Sequence, residues 1–337
     1  MPEPTVPPTT VEPTTVQPAT AQPATVARAT CPSCAEPAAA GDRFCEGCGA
    51  QLRPDTWLSS AAPPGACPAC GSPRPGADGY CDECGQRHGA GRDRAELVLD
   101  GVAAVTDRGL VRRRNEDAVA IAAPTDTITA AVVCDGIATS LRADTAAVVA
   151  AGAGIEALTL VLTAGGSPAE ATRAAFRAAR DAAAALCTAD TRHNPPACTY
   201  VSGVVAAGSV TVGWAGDSRA YWVPAGGGGV QLTEDDAEPG GAPHAAPLTR
   251  WLGADAGPVE ARLATLDHPG PGWLVVCSDG LSRYLTGGPP ELADPAGGVV
   301  GTPEAAARRL TTFALDAGGV DNIAVAVLPM HPLTRQE

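Results

Sequence analysis

From about residue 96 to residue 330, short apolar runs alternate with polar turns and with three longer Ala-rich stretches. The apolar runs predict strands over 97–105, 128–134, 200–206, 210–214, 219–223, 259–266, 273–277 and 323–328. Helices are predicted over 144–163, 168–188 and 303–316, each opened by a capping residue or a proline. Two of the helices follow one another between strands, and most strands are joined by short turns such as 226–229. That order favours antiparallel sheets flanked by helices, an α+β domain, over a doubly wound parallel sheet.

Many of the apolar runs end on an acidic cluster. The clusters are Arg112-Arg113-Arg114-Asn115-Glu116-Asp117, Cys134-Asp135-Gly136, Gly216-Asp217-Ser218-Arg219, Cys277-Ser278-Asp279-Gly280 and Asp321-Asn322. Strand ends lie at the rim of a domain, so carboxylates delivered there can converge on one open site. Oxygen ligands with little histidine suit hard divalent cations such as Mg2+ or Mn2+. Taken singly, Asp135-Gly136 or Asp279-Gly280 is also the commonest hairpin turn, and Arg112 to Arg114 reads equally as a solvated face.

The first 95 residues have a different texture. Residues 1–30 are half Pro and Thr, without aromatic residues or apolar periodicity, and predict a disordered tail. Residues 31–88 hold an internal repeat with a period of 36, CPSCAEPAAAGDRFCEGCGAQL and CPACGSPRPGADGYCDECGQRH. Each copy has the spacing C-x2-C-x10-C-x2-C, giving Cys31, Cys34, Cys45 and Cys48, then Cys67, Cys70, Cys81 and Cys84. Four thiolates in paired knuckles make a closed tetrahedral site, so two structural Zn2+ are expected, and segments this short need the metal to fold. The pair resembles the double zinc ribbon. The expected organisation is ribbon 1 over 31–52, a linker over 53–66, ribbon 2 over 67–88, a linker over 89–95, the main domain over 96–330 and a tail over 331–337.

Composition narrows the partners. The net charge is -14, and all 23 basic residues are arginine, a usage that, with so much Ala, Gly and Pro, points to a GC-rich bacterial genome. An acidic chain is a poor general binder of nucleic acid, and the ribbon region carries seven acidic residues against four arginines. No signal peptide or membrane span is expected, since the best apolar stretch, 146–165, is interrupted by Glu156 and several glycines. A cytoplasmic protein follows, in whose reducing surroundings the twelve cysteines are thiols or ligands rather than disulfides.

In order, the segments TDRGLVRRRNEDAV, VVCDG, VGWAGDSRAYW, LTEDD, LTRWLG, VVCSDGLS and GGVDNIAV resemble the metal-dependent serine/threonine phosphatases of the protein phosphatase 2C family. The resemblance spans about two thirds of the chain. It implies a four-layer α-β-β-α sandwich of two antiparallel sheets, here preceded by two zinc ribbons. It also implies a binuclear Mn2+ or Mg2+ centre whose activated water hydrolyses phosphoserine and phosphothreonine in proteins, opposite a bacterial Ser/Thr kinase. Asp135 would bridge both metals with the Gly136 carbonyl on the first; Asp279 and Asp321 would hold the second; Asp217 with Asp279 could hold a third. Glu116 and Asp117 would orient metal-bound waters, and Arg112 would clamp the substrate phosphate.

The chain departs from the family pattern after Asp135-Gly136, where Ile137-Ala138-Thr139-Ser140 replaces a Gly-Gly turn, and at Asp235-Asp236-Ala237, where Asp-His-Ser is usual. The segment 232–253, expected to form the flap over the site, is short. The alternative to catalysis is an inactive phosphatase-like domain acting as a zinc-ribbon scaffold. Cys277 and Arg283 also match C-x5-R, the pattern of cysteine-dependent phosphatases, but Asp279 would sit inside that phosphate cradle and repel its ligand. Ser218 lacks the flanking glycine of a nucleophile elbow. Cys134, Cys187, Cys198 and Cys277 read as buried apolar packing.

Overall fold

A computed structural model of the chain describes residues 57–60, 93–206, 208–225, 227–239, 246–285 and 301–330, with 29–30, 36–38 and 47–48. The chain divides into two compact units at Pro54. In the first, β1 (Ala29–Thr30) pairs antiparallel with β2 (Pro37–Ala38). Most of the expected tail and both ribbons, including Cys31, Cys34, Cys45, Cys67, Cys70, Cys81 and Cys84, lie outside the described residues, as does the tail 331–337; Cys48 is described and exposed.

The second unit opens with β3 (Trp57–Ser59), inside the segment read as a linker, and continues with β4 (Arg94–Leu99), β5 (Val102–Asp107), β6 (Asp117–Thr125) and β7 (Ile128–Asp135). Two helices follow, α1 (Ala143–Thr163) and α2 (Pro168–Ala184). Next come β8 (Ala197–Cys198), β9 (Tyr200–Ala206), β10 (Ser209–Ala215), β11 (Arg219–Pro224), β12 (Val230–Gln231), β13 (Leu252–Gly253), β14 (Arg262–Asp267) and β15 (Gly272–Cys277). The short α3 (Asp279–Ser282), α4 (Pro303–Asp316) and β16 (Ile323–Met330) complete the described chain.

Two six-stranded sheets carry the orders β14-β10-β9-β7-β6-β3 and β12-β11-β15-β16-β5-β4, and every described pairing in them is antiparallel. Between the sheets lies an apolar core that includes Val119, Ile121, Val133, Val212 and Trp214 from one face and Ala104, Trp222, Leu274, Val276 and Ala326 from the other. Helices α1 and α2 cover the outside of the first sheet through Ala146, Ala150, Ile155, Leu158, Phe176 and Ala179. Helices α3 and α4 cover the outside of the second through Leu281, Ala307, Leu310 and Ala314. The result is the expected four-layer α-β-β-α sandwich. Helix α1 is long and apolar enough to cross a membrane by composition, but half of that window is buried inside this core.

Local chemistry explains the helix ends. Ser167 and Glu170 form a reciprocal capping box before Pro168, and the Thr302 side chain accepts from the Ala305 amide ahead of Pro303. Three expectations change. The apolar stretch 97–105 is a hairpin, β4 and β5, turning at Asp100-Gly101, where Gly101 has φ +72°. Strand β6 was missed because residues 117–122 are buried on both faces and show no alternation. Finally, part of the 53–66 segment is an edge strand, since Trp57, Leu58 and Ser59 pair with Ala122, Ile121 and Ala120.

Candidate active site

The strand ends gather the acidic residues at one rim. Asp117 and Asp135 face each other across the β6–β7 ladder. Arg219 opposes Cys277 between β11 and β15, so Asp217 and Asp279 lie two residues beyond that pair. Asp321 immediately precedes β16 by two residues. One cavity of about 160 Å³ is lined by Glu116, Asp135, Asp217, Asp279 and Asp321, together with Arg112 and Gly136. Both sheets therefore contribute carboxylates to a single pocket.

Hydrogen bonds behind the rim hold Asp117 by its carboxylate and Asp135 and Glu116 by their backbone amides. Ser278 donates to Asp117 at 2.6 Å and itself accepts from the Ala324 amide at 2.9 Å. The Asp135 amide donates to the Thr199 hydroxyl at 3.0 Å, which contacts the Ser218 hydroxyl at 2.7 Å. Asn322 accepts from the Glu116 amide at 2.8 Å and donates to the carbonyls of Arg108 and Arg114 at 2.8 and 2.9 Å. Gly136 has no room for a side chain: a Cβ would stand 2.7 Å from the Ala143 carbonyl oxygen and 2.8 Å from that of Glu116.

Arginines meet part of the negative charge. Arg112 grips Asp321 with both Nε and Nη2, at 2.6 and 2.7 Å. Arg283 donates from Nη2 to Asp321 at 2.9 Å and to the Asp279 carboxylate. The remaining carboxyls are less fully compensated. Burial first, and then the charges of Asp117 and Asp279, raises the Asp135 carboxyl well above the usual range. Burial, followed by the charge of Asp279, pushes Asp217 up to about 7. Asp117 is likewise raised by burial, against the hydrogen bond from Ser278, and Glu116 is raised by burial.

This donor set fits hard divalent cations. The Asp117 Oδ1 atom is buried without a hydrogen-bond partner, and packing so many carboxylates into one rim is unfavourable unless positive charge joins them. As the side chains stand, no three of His, Cys, Asp and Glu among the described residues are close enough together to hold an ion. The carboxylates thus share a pocket but not yet a coordination sphere.

The two departures from the expected pattern have structural answers. The turn after Gly136 closes through Ser140 N to the Ile137 carbonyl at 2.7 Å, and Ile137 N reaches the Ala197 carbonyl at 3.0 Å. Asn194 holds the Thr139 carbonyl at 2.7 Å, and Arg142, ahead of α1, takes a left-handed φ of 54°. Asp235 pairs with both Nε and Nη2 of Arg219 at 2.8 and 2.7 Å. Asp236, in the usual histidine position, accepts from the Gly216 amide at 3.2 Å and from Arg262 at 2.9 Å, so it props the Gly216-Asp217 turn. The segment doubles back where Ala237 pairs with Leu248, and Leu248 lines the cavity.

Sequence reasoning did not single out Thr199, Ser278 or Asn322 as supports, nor Arg283 as a member of the cluster. Asn322 and Ser278 sat inside recognised motifs, whereas Thr199 carried no local signal. The thiol reading fails on chemistry: Cys277 is fully buried, and burial pushes its thiol up to about 12, so no thiolate is available. Cys134 and Cys198 are buried too, while Cys187 is only half-buried. Ser218 is buried at 1% exposure against Thr199.

Comparison with known proteins identifies the family and the fold. Residues 111–310 match the family model described as protein phosphatase 2C, and residues 31–85 match that of the double zinc ribbon. The serine/threonine phosphatase PstP/Ppp of Mycobacterium tuberculosis is 27% identical, with a TM-score of 0.52 over 68% of this chain and 98% of that one. The catalytic domain of PstP in complex with two manganese ions is 28% identical, with a TM-score of 0.50 over 68% and 97%. Stp1 of Staphylococcus aureus shares the fold at 21% identity, with a TM-score of 0.56 over 70% and 96%. No curated protein matches the chain.

Proposed function

The chain belongs to the protein phosphatase 2C family of phosphoprotein phosphatases, and from that premise we propose that it hydrolyses phosphoserine and phosphothreonine in proteins at a binuclear Mn2+ or Mg2+ centre. The observation that carries this reading is the convergence of Glu116, Asp135, Asp217, Asp279 and Asp321 on one cavity with Arg112 at its edge. Asp135 and the Gly136 carbonyl would hold the first cation, Asp279 and Asp321 the second, with Asp135 shared; Asp217 and Asp279 would take a third. Bound there, the cations would offset the charge of the phosphate dianion and acidify a water for attack.

The chain's own residues supply the rest. Arg112 is half-exposed and carries a planar fork that matches two phosphate oxygens; on substrate binding it would pass from Asp321 to the phosphate. Ser278 holds the Asp117 carboxylate and Asn322 the Glu116 backbone amide, and these two acidic residues would orient water rather than bind metal directly. Ile137 offers no proton, which leaves protonation of the departing alkoxide to water. Leu248 contributes an apolar side chain to the lining of the pocket.

The N-terminal repeat matches the double zinc ribbon. We assign one structural Zn2+ to Cys31, Cys34, Cys45 and Cys48 and another to Cys67, Cys70, Cys81 and Cys84. The substrate class implies an opposing Ser/Thr kinase as the partner that supplies it. The test of the catalytic reading is p-nitrophenyl phosphate hydrolysis with added Mn2+, comparing wild type with Asp135→Ala. Metal-stimulated turnover lost in the variant supports it; no metal stimulation, or turnover untouched by the substitution, makes the domain a phosphoprotein-binding scaffold instead.

A further inference from the structure

Arg283 has no part in the reaction above, yet its guanidinium sits inside the carboxylate cluster. It follows the four-residue α3, and its Nε donates to the Asp279 carbonyl at 3.2 Å, tying it to the helix it closes. Its Nη2 bridges the carboxylates of Asp279 and Asp321, reaching the second at 2.9 Å. The side chain is 19% exposed, so the bridge is largely withdrawn from water. One cationic nitrogen therefore stands between the two carboxylates assigned to the second metal. A guanidinium does not lose its proton near neutral pH, so it yields this place only by moving.

We propose that Arg283 is a built-in competitor for the second metal. The cation at Asp279 and Asp321 then binds only when Arg283 swings away, and the cost of that displacement lowers its affinity, beside the Arg112 fork that also holds Asp321. The cation nearer Asp135 and Gly136 has no such rival: Arg112 and Arg283 contact Asp321 and Asp279, and neither donates to Asp135. Loading is ordered as a result, with the Asp135 position filling first and the Asp279–Asp321 position remaining responsive to changes in metal concentration. This inference rests on the assignment of Asp279 and Asp321 as ligands.

Mn2+ binding to the full-length, zinc-loaded chain tests it, with free Mn2+ read by electron paramagnetic resonance for wild type, Arg283→Gln and Arg283→Lys. Wild type is expected to show a tighter and a weaker Mn2+. In Arg283→Gln the weaker one should tighten by about tenfold or more, the loss of a charge-assisted contact, while the tighter one does not move. Arg283→Lys, which keeps the charge and guards against a folding defect in the glutamine variant, should lie between. A weaker class that is unchanged or weakened in Arg283→Gln overturns the competitor role while leaving the metal centre intact. No Mn2+ bound by any of the three proteins overturns the metal centre itself, and the competitor role with it.

Discussion

Replacing Asp217 with Asn should stabilise the metal-free protein at pH 8, although it removes a residue the proposed site uses. Asp217 lies between β10 and β11 with Asp279 nearby, and burial followed by that charge raises its carboxyl from 3.8 to about 7. A carboxyl with a higher pKa in the folded state binds more protons there than in the unfolded chain. Its contribution to stability is therefore fully present below about pH 4 and is lost as pH rises through about 7. At about 1.4 kcal/mol per pKa unit, the full shift would correspond to about 4 kcal/mol. Asp217 opens onto the cavity, so screening by water reduces this to about 2 kcal/mol. For a domain of this size that is a gain of about 4–8 °C in Tm. All five tryptophans lie beyond Pro54, so tryptophan fluorescence follows this unit without reporting directly on the ribbons. Melts without added Mn2+ or Mg2+ should show Asp217→Asn above wild type at pH 8, with the gap closing toward pH 4.5. Saturating Mn2+ should narrow or reverse the gap, because wild type then gains a ligand the variant lacks. An Asp217→Asn protein that melts at or below wild type at pH 8 without metal would refute the claim that these carboxylates strain the metal-free site.

Arg112→Ala should lower kcat/KM on a phosphopeptide by about a hundredfold, the worth of two charge-assisted hydrogen bonds, and steady-state kinetics showing a change of only a few-fold would remove Arg112 from phosphate binding. Gly280→Ala would place a Cβ 1.7 Å from the Asn322 carbonyl oxygen, a backbone atom that cannot step aside; a loss of about 3 kcal/mol or outright failure to fold is expected in urea titrations. Asp236→Asn removes the buried one of the two carboxylates that Arg262 pairs with, Asp236 at 4% exposure, and leaves it only the exposed Glu234. It should cost about 2–3 kcal/mol in the same titrations and weaken the prop under Asp217; an unchanged midpoint would show that the segment 232–253 is not anchored there.

What could be read from the chain alone follows the range of each interaction. The acidic residues were legible because each borders an apolar run, closing it at Asp135, Asp217 and Asp279 and opening it at Asp117 and Asp321, and a strand end is a local property that also fixes position on the rim. Helices α2 and α4 were legible for the same reason: Ser167-Pro168 and Thr302-Pro303 state their starts within two residues. Strand β6 was not, because a strand buried on both faces loses the alternation that marks strands in sequence, and its Ala-rich run resembles the interior of a helix as much as a ladder. The hairpin at Asp100-Gly101 was concealed by unbroken apolar residues on either side of its turn. Strand β3 could not be inferred at all: Trp57, Leu58 and Ser59 sit in a Pro- and Ala-rich segment, and only the exposed edge of β6, some sixty residues onward, makes them a strand. Arg283 is the sharpest case. Its neighbours Cys277 to Ser282 match a phosphate cradle, a local pattern that Asp279 rules out, whereas one of its two carboxylate partners, Asp321, lies 38 residues away. A contact set by long-range packing leaves no mark on local spacing, and so the place of Arg283 between Asp279 and Asp321 could not be read from the motif even once the phosphate-cradle reading had been set aside.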